Sequence, residues 1–374
     1  MIRVLQISIG TTVFGGVQKM LYEIYKNIDK NKVQFDFLFP NYCIFGEYRT
    51  EIENMGAKIF ELKTPRNNLK EKMLYNKKLY KFLKNNKYEI VHINSGAFLF
   101  VLQVAIICKI AGVKKIIVHS HSAIIIKNRF KKFFINILKP LLEFVATDYL
   151  ACSNLAAKSM FTKKNLKNVK IIKNGIEVEK YKFDIYTRKK YREELNVNDC
   201  ICYVHVGRFE ETKNHIFLID IFNEILKKQN NAKLILIGDG NLKENIRKKV
   251  DEYGIKNKVE FLDQRNDVAD LLQAMDCFIF PSLYEGLGIV GIEAQASGLP
   301  LICSGIIPKE IKLLETTTFI SLKDSASIWS KKICDITNSI DLKSRENAYK
   351  IVQDNEYDIK MTANIMEELY SGKN

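Results

Sequence analysis

The chain has 374 residues, which at roughly 150 residues per domain is enough for about two domains. Apolar residues make up 47% and charged residues 27%, with only 6 Pro, and this mixture excludes wholesale disorder. The formal net charge of +15 favours anionic partners, namely nucleotides, nucleic acid or acidic lipid surfaces. A general bias of the sequence towards lysine is the alternative explanation of that surplus.

The lack of a recognisable targeting signal and the pattern of cysteines both favour a cytoplasmic location. Residues 90–108 form the longest stretch without a charge, and its histidine, asparagine and glutamine make it too polar for a membrane span. The N-terminal residues lack the apolar core of a signal peptide. The eight cysteines form no CxxC pair and sit mostly in apolar runs, as buried thiols of a reducing compartment do. No histidine stands at zinc-ligand spacing from a cysteine pair, so no zinc site is expected.

Short apolar runs alternate with amphipathic segments in the first half of the chain. Strands are predicted at residues 4–9, 33–39, 90–93, 116–119 and 149–152, and helices at 17–28, 69–83 and 98–110. This alternation predicts a parallel, doubly wound sheet with helices on both faces.

The alternation pauses and then starts again in the second half. Residues 174–195 are polar and include an Asn-Gly turn signal, so we interpret them as a linker. Further strands are predicted at 201–206, 234–237, 259–262, 277–280 and 301–303, with helices at 215–227, 242–253, 289–297 and 357–370. The predicted fold is α/β, with two doubly wound Rossmann-like domains facing across a cleft. Their predicted bounds are residues 1–173 and 174–356, with residues 357–374 packing back on the first domain. Ligands of such sheets bind on the loops that follow strands.

Two of these loops carry residues suited to phosphate. Gly15 and Gly16 follow the first strand and open a helix whose free N–H groups could meet a phosphate or sugar oxygen. Arg208 and Lys213 follow the first strand of the second half, where two cations suit a diphosphate. For the two glycines, the alternative is a tight turn without a ligand. For the two cations, the alternative is a loop whose charges are simply solvated.

The most informative segment is FIFPSLYEGLGIVGIEAQASGLPLICS. Glu285 lies on its loop, and Glu293 follows eight positions later on a helix that starts near Gly288. Free N–H groups at that helix start suit an anion, and a carboxylate beside them can accept hydrogen bonds from sugar or ribose hydroxyls. Paired carboxylates also suit glycoside hydrolysis, but the glycine-rich helix start favours a phosphorylated ligand.

The spacing of Glu285 and Glu293 in PSLYEGLGIVGIEAQASGLP resembles the retaining glycosyltransferases of family four, which have the glycosyltransferase-B fold. GRFEETKNH, IGDGN, FLDQRNDV and IKNGIE fall where that family has similar stretches, so the resemblance covers nearly the whole chain. VQFDFLF, HSHS, ATDYLACS and HIFLIDIF are most similar to bacterial exopolysaccharide or capsule enzymes. The resemblance implies a hexosyltransferase that moves a sugar, with retention, from a nucleotide sugar such as a UDP-sugar to a glycan or polyprenyl-linked acceptor.

The resemblance also implies roles for individual residues. Arg208 and Lys213 match the residues that hold the diphosphate, Glu285 the carboxylate on sugar hydroxyls, and Glu293 the carboxylate on the ribose. His121, at the end of a strand in HSHS, is implied near the reacting centre, with His119 in reserve. The other substrate-binding residues implied are Gly15 and Gly16 for diphosphate and sugar, Gln264 and Arg265 for the base edge, and Gly288 and Ile289 for phosphate. Glu177 replaces a commoner Asp, and the DQR turn replaces a glycine-containing one; these two departures concern the base specificity and not the class of enzyme.

No cofactor or metal is expected beside the nucleotide-sugar co-substrate. The family implies a front-face displacement without an enzymic nucleophile. Arg208 and Lys213 would then meet the charge that develops on the diphosphate. No Asp-x-Asp ends a strand, so no metal ligand pair is expected.

Three rival functions stay open on the sequence. A sugar-nucleotide epimerase shares the domain layout, but the block around Glu285 and Glu293 argues against it. A basic nucleic-acid-binding protein would need a recognisable module, and none is present. A catalytically silent sugar-nucleotide sensor is the third alternative.

A basic and aromatic segment at residues 127–139 is open to two interpretations. Large apolar residues recur at helical spacing among cations, and Pro140 is expected to end or kink the helix. The apolar members are Phe130, Phe133, Phe134, Ile137 and Leu138, and the cations off that stripe are Lys127, Arg129, Lys131, Lys132 and Lys139. The stripe either packs on the sheet or, with residues 124–126, meets an anionic lipid surface. The second interpretation predicts a peripheral location at the inner face of the membrane.

Overall fold

The computed structural model describes residues 1–8, 16–121, 128–339 and 341–372. Two compact units make up the chain. The first comprises Met1–Gly175 together with Ile359–Asn374, and the second comprises Ile176–Asp358. The sequence predicts divisions after residues 173 and 356, close to these positions.

The first unit contains a seven-stranded parallel sheet in the order β3-β2-β1-β4-β5-β6-β7. The strands are β1 (Ile2–Ser8), β2 (Val33–Phe39), β3 (Ile59–Glu61), β4 (Ile90–Asn94), β5 (Lys115–Ser120), β6 (Asp148–Ala151) and β7 (Lys170–Ile171). Every residue of β2 and β4 is buried, because helices cover both faces of the sheet. The short edge strands β3 and β7 are absent from the sequence prediction.

Six α-helices connect these strands within the residues that the structure describes. They are α1 (Gly16–Asn27), α2 (Arg49–Asn54), α3 (Leu69–Asn86), α4 (Phe98–Ala111), α5 (Arg129–Val145) and α6 (Asn154–Met160). Side-chain caps set several of their starts: the Asn68 and Asn128 amide oxygens accept from the backbone N–H groups of Glu71 and Lys131. The long predicted helices of this half are confirmed, with ends that differ by a few residues.

The second unit contains a six-stranded parallel sheet in the order β10-β9-β8-β11-β12-β13. Its strands are β8 (Ile201–Val206), β9 (Ala232–Ile237), β10 (Val259–Leu262), β11 (Cys277–Phe280), β12 (Leu301–Ser304) and β13 (Thr317–Ile320). Its helices are α7 (Ile185–Glu194), α8 (His215–Leu226), α9 (Lys243–Glu252), α10 (Val268–Ala274), α11 (Ile289–Ala296), α12 (Ala326–Thr337) and α13 (Ala348–Asp354). The strand order reverses between β8 and β11, the point at which doubly wound sheets bind ligands. The predicted class, two Rossmann-like α/β domains, is confirmed.

The predicted linker at residues 174–195 is wrong, because most of it folds into the second unit. Helix α7 lies inside it and buries Arg188 and Arg192. Both guanidinium groups contact the carboxylate of Asp276, at 2.5 Å and 3.2 Å respectively. A polar sequence is therefore compatible with burial here, since the buried charges are paired.

The last helix, α14 (Ile359–Ser371), belongs to the first unit. It packs on α1 and β1, and it buries Met366, Leu369 and Tyr370 in the same core as Val4 and Phe35. The Tyr370 hydroxyl accepts a hydrogen bond from the Gln6 amide at 3.0 Å. The chain thus leaves the first unit after Gly175 and returns to complete it.

Helix α5 differs from both interpretations of its sequence in detail. Pro140 does not end it, since the helix continues to Val145. Lys139 is buried rather than exposed, and its ammonium donates to the carbonyls of Lys158 and Phe161. Packing of the whole stripe on the sheet is wrong: only Leu138 of its five members packs partly against the core, and Phe130, Phe133, Phe134 and Ile137 are exposed. Lys127 and residues 124–126 lie outside the described residues.

Candidate functional site

An ion pair lies at the switch point of the second sheet. Lys213 follows β8 and Glu285 follows β11, and the two strands are neighbours although the residues are 72 positions apart. The Lys213 ammonium donates to the Glu285 carboxylate at 2.6 Å, and both side chains are largely shielded from solvent. The ammonium also lies 5.5 Å from the centre of the Phe280 ring. The structure therefore brings together two of the four residues predicted as catalytic.

The loops that follow β8 and β9 pack tightly against each other. Gly238 has a φ of +136°, and a Cβ on it would lie 2.3 Å from the carbonyl oxygen of Gly207. The Phe209 N–H donates to the Asp239 carbonyl at 2.9 Å. The loop after β11 joins them, since the Leu283 N–H donates to the Thr212 carbonyl at 2.8 Å. Backbone contacts therefore hold the surroundings of Lys213 in place.

Gly288 starts helix α11 in a left-handed conformation with a φ of +85°. A Cβ there would lie 2.8 Å from the Phe280 ring, so glycine is required by both conformation and space. The predicted start of the helix near Gly288 is confirmed, and Ile289 is its first residue. A helix therefore begins three residues after Glu285, and the N–H groups of its first turn point out of its N-terminal end, where they suit an anion.

The buried side-chain amide of Gln295 ties helix α11 to the backbone of residues 311–314, before β13. The Gln295 oxygen accepts from the N–H groups of Leu313 and Leu314 at 2.9 Å and 3.0 Å, and its nitrogen donates to the Ile311 carbonyl at 2.8 Å. Glu293, on the same helix, is only 3% exposed. Gln295 was not predicted, although a glutamine in an otherwise apolar helix indicates a buried hydrogen-bond network.

The other predicted residues of this unit lie nearer the surface. Arg208 is exposed and pairs with Glu210 at 2.7 Å. Gln264 and Arg265 are exposed on the loop after β10, where the Arg265 guanidinium donates to Asp267 at 2.6 Å. Both cations are therefore engaged by neighbouring carboxylates that sequence reasoning did not include.

Three histidines lie next to one another in the first unit, one within β4, one near the end of β5 and one just after β5. The His119 ring lies 5.4 Å from that of His92 and 4.0 Å from that of His121. The His121 Nε2 atom lies 3.1 Å from the Asn94 amide oxygen, and Asn94 donates in turn to Gln6 at 2.8 Å. Asn94 and Gln6 were not predicted; polar residues within otherwise apolar strands were the available signal.

Burial keeps these histidines neutral. It lowers the pKa of His121 to about 3, and it lowers the pKa values of His92 and His119 well below the usual range. His215 in the second unit has a pKa lowered to about 3 by the same cause. Such groups add stability that is present above about pH 6.5 and is lost as the pH falls towards about 3, because the unfolded chain takes up the protons first. A neutral His121 can donate or accept a hydrogen bond near neutral pH without carrying charge.

The glycines after β1 are only partly described. Gly15 lies outside the described residues. Gly16 is the first residue of α1, and a Cβ built on it meets nothing within 4 Å. In the described part of the chain, no group of three or more histidine, cysteine or acidic side chains is placed to hold a metal ion. Nor does any described helix have the length and apolar character needed to cross a membrane.

Comparisons with known proteins agree with this architecture. Residues 187–350 match the family described as "Glycosyl transferases group 1", and residues 14–180 match "Glycosyltransferase Family 4". Putative glycosyltransferase EpsF of Bacillus subtilis is 29% identical over 85% of this chain and 84% of its own length. The capsular polysaccharide biosynthesis glycosyltransferase CapH of Staphylococcus aureus is 28% identical over 88% of each chain.

A solved structure shows the same fold along its whole length. Anabaena Alr3699/HepE in complex with UDP superposes with a TM-score of 0.77, at 19% identity and full coverage of both chains. The similarity extends over both units.

Proposed function

Because the chain belongs to the family-four glycosyltransferases, we propose that it transfers a sugar from a UDP-sugar to a glycan or lipid-linked acceptor in the synthesis of a cell-surface polysaccharide. Two comparisons support the finer parts of this proposal. CapH is named for capsular polysaccharide biosynthesis, and HepE was solved with UDP. The second unit would bind the donor and the first unit the acceptor.

The observation that carries the donor site is the pair of Lys213 and Glu285 at the switch point. Cleavage of the bond between the anomeric carbon and the diphosphate leaves negative charge on the diphosphate. The Lys213 ammonium is already held in place by Glu285, so little reorganisation is needed when that charge develops. One well-placed donor of this kind contributes about 3–4 kcal/mol to the transition state.

Glu285 would bind hydroxyl groups of the donor sugar while it keeps its ion pair with Lys213. A carboxylate beside a helix start can accept hydrogen bonds from two sugar hydroxyls, and the N–H groups of Gly288 and Ile289 would face phosphate oxygens. Glu293 would accept from the ribose hydroxyls. Arg208 would turn from Glu210 to the diphosphate, and Gln264 and Arg265 would meet the base.

We propose retention at the anomeric carbon, on the strength of the family resemblance. In a front-face displacement the acceptor oxygen forms its bond to the anomeric carbon as the bond to the diphosphate oxygen breaks. The acceptor's proton passes to that departing oxygen, so no enzymic nucleophile is required. His121 would hydrogen-bond the donor sugar as a neutral group, and Asn94 would hold its ring.

We also propose that transfer requires no metal ion and that the protein acts at the membrane surface. Lys213, Arg208 and the start of α11 supply the positive charge that a divalent cation would otherwise bring to the diphosphate. The product of a cell-surface pathway with a lipid-linked acceptor would be made at the inner face of the membrane, by a protein held there peripherally.

The test compares Glu285→Gln with Glu315→Gln, the same change in an exposed Glu–Lys pair of the same unit. We expect Glu285→Gln to lower turnover by about 100-fold, as loss of one positioned group does, and to leave UDP affinity near wild type. Lys213→Met is expected to weaken binding of UDP itself. Turnover is followed as UDP released from a panel of UDP-sugars in the presence of EDTA.

Three results would contradict this proposal. Full transfer by Glu285→Gln would remove the assigned role of the carboxylate. Unchanged UDP affinity in Lys213→Met would place the diphosphate elsewhere. A strict requirement for Mg²⁺ would show that a metal ion, rather than these cations, stabilises the leaving group.

A further inference from the structure

Helix α5 carries a row of large apolar side chains that no part of the described chain covers. We name these six residues the α5 stripe, and each is between 41% and 88% exposed: Phe130, Phe133, Phe134, Ile137, Leu141 and Phe144. Four of the six are phenylalanines, which have no polar group to hydrate. Exposed apolar patches of this kind on a soluble fold mark interaction surfaces.

The geometry of the helix separates the α5 stripe from the core. Successive residues of an α-helix are about 100° apart, so the six positions fall within a sector of about 100°. The residues that α5 buries lie in a different sector, and they include Ile135, Leu142 and Val145. The helix therefore has one apolar face for its own unit and a second one for something else.

The charge around the α5 stripe is positive. Arg129, Lys131 and Lys132 are all exposed in the first turn. The helix holds a single acidic residue, Glu143, whose carboxylate is engaged by the N–H and hydroxyl of Thr162 at 2.6 Å and 3.0 Å. The exposed cations of the first turn thus outnumber this one carboxylate by three to one, on a chain whose formal net charge is +15.

We propose that the α5 stripe rests on an anionic lipid bilayer, with its phenylalanines in the boundary between headgroups and acyl chains and the three cations among the headgroups. An apolar face flanked by Lys and Arg is the pattern of helices that lie in a membrane interface. A second copy of this chain fits less well, because it is equally basic and its own stripe offers no exposed acidic side chain for the three cations to contact. An anionic bilayer, by contrast, attracts both the apolar side chains of the α5 stripe and the three cations beside it.

This proposal does not depend on the donor site. It concerns the first unit alone, and its test measures binding to vesicles rather than sugar transfer. A protein that binds vesicles but transfers no sugar would contradict the proposed transfer reaction only. Sugar transfer without vesicle binding would contradict this proposal and the peripheral location, and it would leave the transfer reaction standing.

The first experiment is flotation of the full-length protein with phosphatidylglycerol-containing vesicles and with pure phosphatidylcholine vesicles. We expect flotation with the anionic vesicles alone, weakened in 1 M salt, where the Debye length is about 3 Å. Phe130→Ser/Phe133→Ser/Phe144→Ser is expected to reduce the floated fraction at least tenfold. These three side chains are more than two-thirds exposed, so the variant is expected to keep the wild-type unfolding midpoint.

A matched pair of variants separates local charge from overall charge. Lys131→Glu/Lys132→Glu reverses two adjacent exposed lysines beside the α5 stripe. Lys331→Glu/Lys332→Glu makes the same change at two adjacent exposed lysines of α12, in the second unit. The first double variant is expected to lose flotation at least fivefold and the second to keep it.

Insertion is checked directly with Phe144→Trp. The chain has one tryptophan, Trp329, which is fully buried and donates to the Ser321 carbonyl, so its emission serves as a constant background. We expect the emission of the introduced indole to shift to the blue with anionic vesicles. The proposal is overturned if the wild type stays at the bottom of the gradient, if the triple serine variant floats as the wild type does, or if phosphatidylcholine vesicles bind equally well. A concentration-dependent dimer that the triple serine variant abolishes would assign the stripe to a second copy instead.

Discussion

Gly288 holds a backbone conformation that residues with a side chain rarely adopt, and it does so beside the proposed donor site. Gly288→Ala adds two costs, the left-handed φ of +85° and the approach of Cβ to the Phe280 ring at 2.8 Å. Together they are expected to lower the free energy of unfolding by about 2–3 kcal/mol. UDP affinity is expected to fall as well, because the first N–H groups of α11 move with this residue. Urea denaturation and UDP titration measure the two effects.

Two other glycines of the second unit separate those costs. At Gly254 the φ is +65° and no atom lies within 4 Å of the new Cβ. Gly254→Ala therefore tests the cost of the left-handed conformation alone. Gly291→Ala places Cβ 2.6 Å from Ile311 Cδ1 with an ordinary φ, so it tests crowding alone. If Gly288→Ala costs no more than Gly254→Ala, the contact with Phe280 does not constrain the site.

At the scale of the element, α7 depends on one carboxylate. Asp276 contacts Arg188 and Arg192, and it accepts from the Cys202 N–H at 2.7 Å. Asp276→Ala leaves two buried guanidinium groups without their counter-charge, so we expect a loss of about 3–5 kcal/mol in unfolding free energy. Glu193→Ala, at an exposed position of α7, is the control, and we expect it to change that free energy by less than about 0.5 kcal/mol. Equal stability of the two variants in urea would show that the apolar contacts of α7 and the hydrogen bonds from its arginines to backbone carbonyls suffice without this carboxylate.

Elements whose apolar residues form a continuous run or recur at a regular spacing could be predicted from the sequence, whereas elements held by ion pairs could not. Strands β8, β10 and β11 match their predicted ranges residue for residue. Helix α7 was missed because its inward side is arginine, and nothing local shows that Asp276, more than eighty positions later, neutralises it. For α5 the period was predicted correctly, but periodicity does not tell which apolar face meets the core.

In the proposed donor site, the positions of the residues could be predicted from the sequence, but the contact between them could not. The separate positions of Lys213 and Glu285 at strand ends could be predicted, because each follows an apolar run that is typical of a strand. Their contact depends on the adjacency of β8 and β11, which is a property of the whole sheet. Asn94 and Gln6 beside His121 escaped prediction for that reason too, since β1 and β4 are neighbours only in the folded sheet.

At the scale of the whole molecule, the last helix closes the first unit rather than extending the second. Met366 and Met361 lie on opposite faces of α14, 1% and 42% exposed respectively. Met366→Ala removes a side chain from the core that contains Val4 and Phe35, and we expect it to cost about 2–5 kcal/mol. Met361→Ala makes the same change at the surface and is expected to cost less than about 0.5 kcal/mol.

Hydrogen exchange locates the effect of Met366→Ala within the chain. Because α14 packs on α1 and β1, amide protection should fall in β1 and β2 while β8 and β11 keep theirs. The two units have separate cores, so a cavity in one need not reach the other. Equal loss of protection in both sheets would show that the units unfold as one. Loss confined to β8 and β11 would mean that α14 stabilises the second unit, against the contacts it makes here.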